Sequence, residues 1–340
     1  MHKVKKLIDI DYQYNGNLFY SKNWIRVLID EYNFDIKTVV HQEQPDDPIL
    51  VFAELEDIFG KRIISLPFSD YTEPIIASES ELYNVLNFLK EFYCNHTIIV
   101  KYHGTMDESQ ICGFENIRQA VCHRIDLDKN IELIWQSTNR AFKKGVKKAQ
   151  SHDLFVNRYN VSDGINIFHQ MLTDLRRKKL NILPQPKSFY MRMFYHFIRK
   201  EQGNLWVTYL KDKPIAAAIL LHSGDAMFDK MGVSDSNYLE FRPNNILLWE
   251  IMKYGQSNNF RYLDMGLTPT ANEGLMRFKK SLGASKTDIN YYRYVPDDYD
   301  FQKEDYIKQM LSGVTSLLVK PEIPENIVHE AGELLYRYFA

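Results

Sequence analysis

The order of apolar and polar positions predicts two successive blocks of helices and strands. In the first block, apolar residues recur three and four positions apart in the helices and alternate or run continuously in the strands. Its predicted elements are a helix at 20–31, strands at 35–40, 49–55 and 61–66, a helix from about residue 80, and strands at 97–102 and 120–127. This order is typical of an α/β unit with a mixed sheet.

A long polar helix predicted over residues 130–150 precedes the second block. The later predicted elements are a strand at 154–160, helices at 162–178 and 188–200, strands at 204–210, 214–221 and 226–233, a helix at 243–256, a strand at 260–265, a helix at 274–281, a strand at 287–294, and tail helices at 300–318 and from 324. The sequence therefore predicts an α/β fold with mixed α+β sheets. It predicts two domains, residues 1–150 with a basic connecting helix and residues 151–340 with a helical tail.

Composition narrows the classes of protein to consider. The 340 residues carry a formal net charge of -2, so no overall basic field attracts nucleic acid. Cys94, Cys112 and Cys122 form no CxxC pair, which fits a reducing compartment. We expect a cytoplasmic protein, because the sequence has no signal-peptide pattern and no apolar run near the ~18 residues of a membrane helix. The histidines show no zinc spacing, and no metal site is predicted.

A lysine in the short helix at 274–281 is the first candidate for chemistry. Lys279 follows the inward-facing Phe278 in a helix that lies between two predicted strands. A lysine held there can meet an anionic or carbonyl-bearing ligand at the end of a sheet. The alternative is an ordinary solvated helix lysine, which periodicity alone favours.

The segment RPNNILLWE predicts a helix that begins at Pro243, because proline suits the first helical position. Free N–H groups and the helix dipole favour an anion at that end. Arg242, Asn244 and Asn245 are therefore candidates for binding the anionic part of a substrate or cofactor. The alternative is a capped helix with a solvated Arg242.

Two acidic residues follow predicted strands. Asp70 and Tyr71 lie in the turn of LPFSDYTEP, at a strand end where α/β proteins place ligand groups. The Asp70 carboxylate can orient an acceptor amine or take its proton. The alternative is a turn in which Asp70 bonds its own backbone. Asp264, at the end of the strand at 260–265, is a second candidate base.

The polar helix carries five cations and no acid between its first and last cation: Arg140, Lys143, Lys144, Lys147 and Lys148. Like charges four residues apart destabilise a helix, and a partner anion would relieve this repulsion. Candidate partners are tRNA, a nucleotide diphosphate or acidic side chains of the same chain. A solvated face is the favoured interpretation.

Four stretches resemble, in the same order, segments of the FemABX-like branch of the GNAT acyltransferase superfamily. They are LPFSDYTEP (66–74), STNRAFKKGVKKAQ (137–150), NYLEFRPNNILLWEIMKYG (237–255), and YLDMGLT with GLMRFKKSLGA (262–284). The resemblance spans about residues 20–295 and implies two tandem GNAT-like domains packed side by side. It further implies a GNAT-type N-acyltransferase with no tightly bound cofactor, whose donor is acyl-CoA or aminoacyl-tRNA.

The resemblance also implies roles for individual residues. Lys279 would stabilise the oxyanion or a phosphate, and Asp70 with Tyr71 would position the acceptor. In the segment LRRKKLN, Arg176 or Arg177 would contact acceptor phosphates.

Two departures from the family pattern bear on the donor. Asn245 and Leu247 stand where a classical GNAT enzyme has the glycines that cradle coenzyme A, which disfavours acyl-CoA. The chain also has no heptad run matching the coiled-coil arm of a tRNA-dependent member, which disfavours tRNA, although tRNA remains a candidate partner.

The sequence thus predicts transfer of an acyl or aminoacyl group to an amine or hydroxyl of a cell-envelope or polysaccharide precursor. The partner would be a small molecule, or a lipid-linked or nucleotide-linked glycan or peptide precursor. The alternative is a catalytically degenerate GNAT-like module that binds a nucleotide-sugar or a protein. Donor, acceptor, oligomeric state and catalytic competence stay open at this stage.

Overall fold

The fold comes from a computed structural model, and the structure describes residues 1–12, 16–107, 109–111 and 113–340. The strands are β1 His2–Lys6, β2 Asp35–His41, β3 Pro48–Asp57, β4 Gly60–Ile64, β5 Thr97–His103, β6 Phe114–Asp126, β7 Phe155–Tyr159, β8 Gly203–Leu210, β9 Lys213–Ser223, β10 Ala226–Ser234, β11 Tyr262–Pro269 and β12 Ser285–Tyr294. The helices are α1 Lys22–Tyr32, α2 Glu79–Phe92, α3 Ile131–Ser137, α4 Arg140–Ser151, α5 Asp163–Leu175, α6 Lys187–His196, α7 Pro243–Ser257, α8 Glu273–Ser281, α9 Phe301–Leu318 and α10 Glu325–Leu335. A π-helical turn, Arg176–Leu180, extends α5.

The chain divides into two compact units. The first contains Met1–Val121, Thr287–Leu311 and Ala340, and the second contains Cys122–Lys286 and Ser312–Phe339. This division falls within β6, whereas a domain boundary at residue 150 stays a sequence prediction. The prediction of an α/β fold with mixed strand pairing is confirmed, since each unit contains both parallel and antiparallel strand pairs. Of the three cysteines, Cys112 lies outside the described residues.

In the first unit the strand order is β1-β2-β3-β4-β5-β12. Only β4 and β5 pair in parallel, and the other neighbouring strands in this order are antiparallel. The inner side of α2 packs on this sheet through Leu82, Val85, Leu86 and Leu89, which are all buried. Their three- and four-residue spacing predicts this face correctly. The Ser78 side chain accepts a hydrogen bond from Glu81 N and so begins the helix as an N-cap.

In the second unit the order is the end of β6, then β11-β10-β9-β8-β7. Here β10 and β11 are parallel, and β7–β10 form antiparallel pairs. The core lies between this sheet and α4 and α7, and it includes Phe142, Val146, Ile251 and Met252. Four of the five cations of α4 are exposed, as predicted for a solvated face, whereas Lys143 is half-buried and donates to the carbonyl of Gln136.

The prediction of one helix over 130–150 is wrong, because α3 ends at Ser137 and α4 begins at Arg140. Asn139 adopts an extended conformation, and its side chain accepts a hydrogen bond from Phe142 N at 2.9 Å. Its own N–H donates to the carbonyl of Ser281. Asparagine is a strong N-cap residue, so the sequence does carry the signal for this break.

Among the described residues, none of the helices has the length and apolar character that a membrane crossing requires. In the same part of the chain, no three histidine, cysteine, aspartate or glutamate side chains come together as metal ligands.

The C-terminal helix α10 docks on the second unit through close backbone contacts. A Cβ atom at Gly332 would lie 2.7 Å from the carbonyl oxygen of Pro184, so only glycine fits there. The Arg177 guanidinium donates to the carbonyls of Lys320 and Ile323, at 2.7 and 2.5 Å. These contacts tie the segment between α9 and α10 to the π turn.

His169 of α5 lies beside α10 and is 4% exposed. Its Nε2 donates to the carbonyl of Gln185 at 3.1 Å, and its ring centroid lies 5.2 Å from that of His329. Burial, and secondarily the neighbouring His329, lower the pKa of His169 from 6.5 to about 4. The folded protein therefore keeps this imidazole neutral at pH values where the unfolded chain is protonated.

We expect the free energy of unfolding to fall as the pH decreases from about 6.5 to about 4, since only the unfolded chain binds this proton in that range. The loss of stability caused by His169 should approach about 3 kcal/mol near pH 4 and should vanish above about pH 6.5. His169→Gln should flatten this pH dependence in denaturant titrations. His152→Gln, at an exposed position, is the control. An unchanged pH dependence in His169→Gln would contradict the assignment.

Candidate functional site

The candidate site of the second unit begins where two parallel strands separate. β10 and β11 pair only between Ala226–Phe228 and Tyr262–Asp264. Beyond these residues β10 continues along β9 to Ser234, with an irregularity after Asp229, while β11 continues to Pro269. The split therefore opens at the carboxyl ends of a parallel pair, which is where open α/β sheets bind ligands.

Lys279 lies at this split and is buried, with 5% of its surface exposed. Its ammonium donates to the carbonyls of Met265, Gly266 and Leu267 at 2.5, 3.0 and 3.4 Å. The alternative of a solvated helix lysine is therefore wrong. The three N–H bonds of the ammonium thus already have three carbonyl partners on β11. Contact with a substrate oxyanion or phosphate stays a prediction, and it requires that the substrate replace one of these carbonyls.

Asp264 is the last residue of β11 that pairs with β10, and it is 1% exposed. Its carboxylate accepts hydrogen bonds from Gly266 N at 2.9 Å, Arg124 Nη2 at 3.3 Å and Cys122 Sγ at 3.4 Å. These donors give the buried carboxylate oxygens hydrogen-bond partners in place of water. The arrangement suits a residue that positions the β11 backbone, and a role as general base stays a prediction.

The start of α7 brings Arg242 and Asn244 close to the end of β10. Arg242 is exposed and has φ of 62°, a left-handed conformation that is uncommon outside glycine and asparagine. The Asn244 side chain donates to Ser234 Oγ at 3.3 Å. Pro243 occupies the first helical position, as the sequence predicts. Arg242 thus remains available to an anion at the helix N-terminus.

Asn245 has a different environment from the two residues before it. It is 8% exposed, and its side chain packs against Gly145 of α4. A Cβ atom at Gly145 would lie 2.5 Å from Asn245 Nδ2, so the glycine is what lets α4 and α7 approach here. In this structure Asn245 contributes to helix packing, and its predicted contact with an anion stays untested.

The two arginines predicted to bind acceptor phosphates lie in the π turn. Arg177 donates to main-chain carbonyls of the segment before α10, as described above. Arg176 is half-buried, and its charge acts on Tyr190 and Tyr336, whose pKa values burial raises and this cation lowers. Arg177 therefore anchors the segment before α10, and phosphate binding by either arginine stays a prediction.

The first unit has its own cluster around the turn that contains Asp70. Leu66 and Phe68 have φ of 37° and 56°, so the turn uses left-handed backbone without glycine. Strain of this kind persists only where the surroundings hold it, and it is common at functional sites. Lys101 of β5, which is 6% exposed, stabilises this turn. Its ammonium donates to the carbonyls of Leu66 and Ser69 at 2.9 and 2.5 Å.

Asp70 is half-buried beside this lysine and close to Tyr291 of β12. Lys101 and Tyr291 are direct cross-strand neighbours, and the Arg118 guanidinium lies 5.0 Å from the Tyr291 ring centroid. Burial, with a contribution from Asp70 and against that of Arg118, raises the pKa of Tyr291 to about 12. The hydroxyl therefore stays protonated at neutral pH and can donate a hydrogen bond.

Tyr71 is 3% exposed and packs into the unit. Its ring meets Phe19 edge-on at 5.2 Å and lies 4.9 Å from the ring of His103, which pairs with Glu73. The predicted role of Tyr71 in positioning an acceptor stays a prediction. Its contacts indicate that it supports the turn from within.

Sequence reasoning missed several residues of these clusters, namely Lys101, Tyr291, Arg118, Arg124 and Cys122. One signal was present: Lys101 follows the apolar run of β5, and a lysine in a buried strand needs a partner. The other four depend on which strands are neighbours, which periodicity does not give.

Residues 136–280 match a family described as "Acetyltransferase (GNAT) domain". This segment contains α4 through most of α8, and hence the split strands and Lys279. No curated protein sequence matches the chain.

Solved structures show the same fold. The chain is similar to FemX, at a TM-score of 0.60 and 13% identity, over 87% of this chain and 94% of that one. L-PGS from Bacillus licheniformis gives 0.51 and 9%, over 78% and 87%. The C-terminal domain of a putative lysylphosphatidylglycerol synthetase from Agrobacterium fabrum gives 0.51 and 11%, over 78% and 85%. The fold is that of two tandem GNAT-like units, and the resemblance to the FemABX-like branch is confirmed at this level.

Lys279→Met should lower the free energy of unfolding by about 3 kcal/mol, because it leaves β11 carbonyls buried without a donor. Lys280→Met removes an exposed neighbouring ammonium and should change stability by less than about 0.5 kcal/mol. Urea titration of both variants measures the difference. Equal stabilities would show that the β11 contacts of Lys279 contribute nothing to the fold.

Gly145→Ala should destabilise the protein by about 1–3 kcal/mol, because the methyl group overlaps Asn245. In an Asn245→Ala background the same change should stabilise it by up to about 1 kcal/mol, since alanine is the better helix former. The four proteins form a double-mutant cycle that thermal unfolding can read. Additive effects would contradict the packing described for this pair.

Proposed function

We propose that the protein transfers an acyl or aminoacyl group to an amine, or a hydroxyl, of a cell-envelope or polysaccharide precursor. The observation that carries this proposal is the split between β10 and β11, with the buried Lys279 at β11 and the exposed Arg242 at the start of α7. At the split, the carbonyl group of the acyl donor could reach main-chain groups of β10 and β11 that do not pair with each other. The start of α7 offers its anionic portion a cation and a helix dipole.

The reaction would proceed by attack of the neutral acceptor amine on the donor carbonyl carbon. A tetrahedral oxyanion forms, the bond to the donor's thiol or hydroxyl breaks, and the nitrogen loses one proton as the amide forms. The oxyanion needs donors placed before the reaction. In the proposal Lys279 serves this step, either by turning one N–H to the oxyanion or by fixing the β11 main chain around it.

The acidic residues divide the remaining work. Asp264 would hold the Gly266 N–H and Arg124, and so fix the shape of the split. Asp70, with Tyr71 behind it, would position the acceptor and accept its proton directly or through water. Asp70 and Tyr71 belong to the first unit and Lys279 to the second.

Two names among the similar structures support the class of substrate. FemX and a putative lysylphosphatidylglycerol synthetase both have this fold. We infer from them a donor that is aminoacyl-tRNA or acyl-CoA. The Asn245 side chain packs against Gly145, so in the proposal the start of α7 binds such a donor mainly through Arg242.

A second candidate is a non-catalytic module that binds a nucleotide-sugar or a protein. The observation that favours it is the complete set of carbonyl partners around the Lys279 ammonium. This module would be stabilised by its ligand and would form no product with any donor.

Calorimetric titration with coenzyme A tests the donor site. If acyl-CoA is the donor, Arg242→Glu should weaken binding about tenfold or more, because it places a like charge at the phosphate position. Arg277→Glu makes the same change in charge on an exposed position of α8 and should have little effect. If coenzyme A does not bind, transfer of a labelled amino acid in lysate should be abolished by ribonuclease.

Mass spectrometry of the acceptor fraction detects the product, whether acyl-CoA or aminoacyl-tRNA is the donor. Failure of both donors, with a folded protein, would overturn the proposed transfer. Ligand-induced thermal stabilisation without product would then favour the binding module.

A further inference from the structure

A cavity of about 810 Å³ lies in the second unit, between α5 with its π turn and the neighbouring ends of β9 and β10. Its volume is within the range of small-molecule sites. None of the residues predicted to carry transfer chemistry lines it. It therefore needs an explanation of its own.

One wall of the cavity is an apolar stripe on α5. Ile167, Met171 and Leu175 follow one another at four-residue intervals and so lie on one side of the helix. Pro214, at the start of β9, also lines the cavity. These side chains are half-buried, and an apolar ligand would remove their remaining surface from water.

The rim of the cavity carries three lysines and two aspartates. Lys178 pairs with Asp174 at 2.6 Å, and Lys213 lies 3.4 Å from Asp235. Lys179 is exposed, and no described acid lies within ion-pair distance of it. The rim therefore has one ammonium beyond its own ion pairs, which favours an anionic group on the ligand.

The π turn Arg176–Leu180 positions the Lys179 ammonium at the rim of the cavity. Arg177 points to the other side, where it donates to the carbonyls of Lys320 and Ile323. With the turn held there, Lys179 faces the cavity. Single π turns are rare and often occur at functional sites, because the extra residue redirects the side chains of one turn.

We propose that this cavity binds an amphipathic anion. The apolar body of the ligand packs on the α5 stripe, and its phosphate, carboxylate or sulfonate pairs with Lys179. Asn166, Gln170 and Asn237 supply amide groups at the wall for polar parts of the body. This site stands independently of the proposed transfer reaction, and its test measures binding alone.

Two fluorescent probes that differ in charge test the proposal. Anilinonaphthalene sulfonate has an apolar body with one sulfonate, and N-phenyl-1-naphthylamine has the same body without it. Both should bind the full-length protein. Lys179→Glu should weaken the sulfonate probe about tenfold or more and change the neutral probe less than about twofold. Lys148→Glu, the same change at an exposed site on α4, should alter neither.

A variant that fills the cavity locates the site. Gln170 is exposed at the wall, and Gln170→Trp should weaken both probes while the thermal unfolding midpoint remains near that of the parent. The proposal is overturned if Gln170→Trp leaves both probes unaffected. It is equally overturned if Lys179→Glu and Lys148→Glu have the same effect on the sulfonate probe.

Discussion

The hydrogen bonds from the Lys279 ammonium to β11 are the constraint on which the second unit's candidate site depends. Burying a charge is unfavourable unless hydrogen bonds compensate for the lost water. Here the carbonyls of Met265, Gly266 and Leu267 provide them. Gly266 is held on both sides, its carbonyl by Lys279 and its N–H by Asp264. With φ of 64° it lets β11 turn away from β10 at a fixed place.

The first unit meets the same physical problem with different residues. Its parallel pair, β4 with β5, also spans only three residues of each strand, Arg62–Ile64 and Thr97–Ile99. Strands that separate leave main-chain groups in a buried region, and those groups need partners. Lys101 provides them for the turn that follows β4, much as Lys279 does for β11. Each unit thus places a buried ammonium where its parallel strands part.

The sequence predicts the elements well because their signals are local. Proline at the first position of α7, the apolar faces of α2 and α8, and the turn residues between strands all act within a few residues. The break at Asn139 was also local and could have been predicted from its N-cap character. Periodicity therefore accounts for the order of strands and helices, and for the position of Lys279 in a short helix between two strands.

The partners of the site residues could not be predicted, since they come from distant parts of the chain. Lys101 lies 35 residues from the Leu66 carbonyl that it binds. The contact of Gly145 with Asn245 joins two helices that the sequence separates by a whole α/β segment. Such long-range contacts decide whether a cation faces solvent or a carbonyl, and they cannot be read from composition.

The π turn after α5 has a consequence for the evolutionary history of the chain. A helix advances by about 100° per residue, so one residue lost between 176 and 180 would rotate everything that follows onto another azimuth. Both side chains would then turn together relative to α5, Arg177 away from the Lys320 and Ile323 carbonyls and Lys179 away from the cavity. Homologues that lack this extra residue should therefore lack both the anchored C-terminal helix and the basic rim.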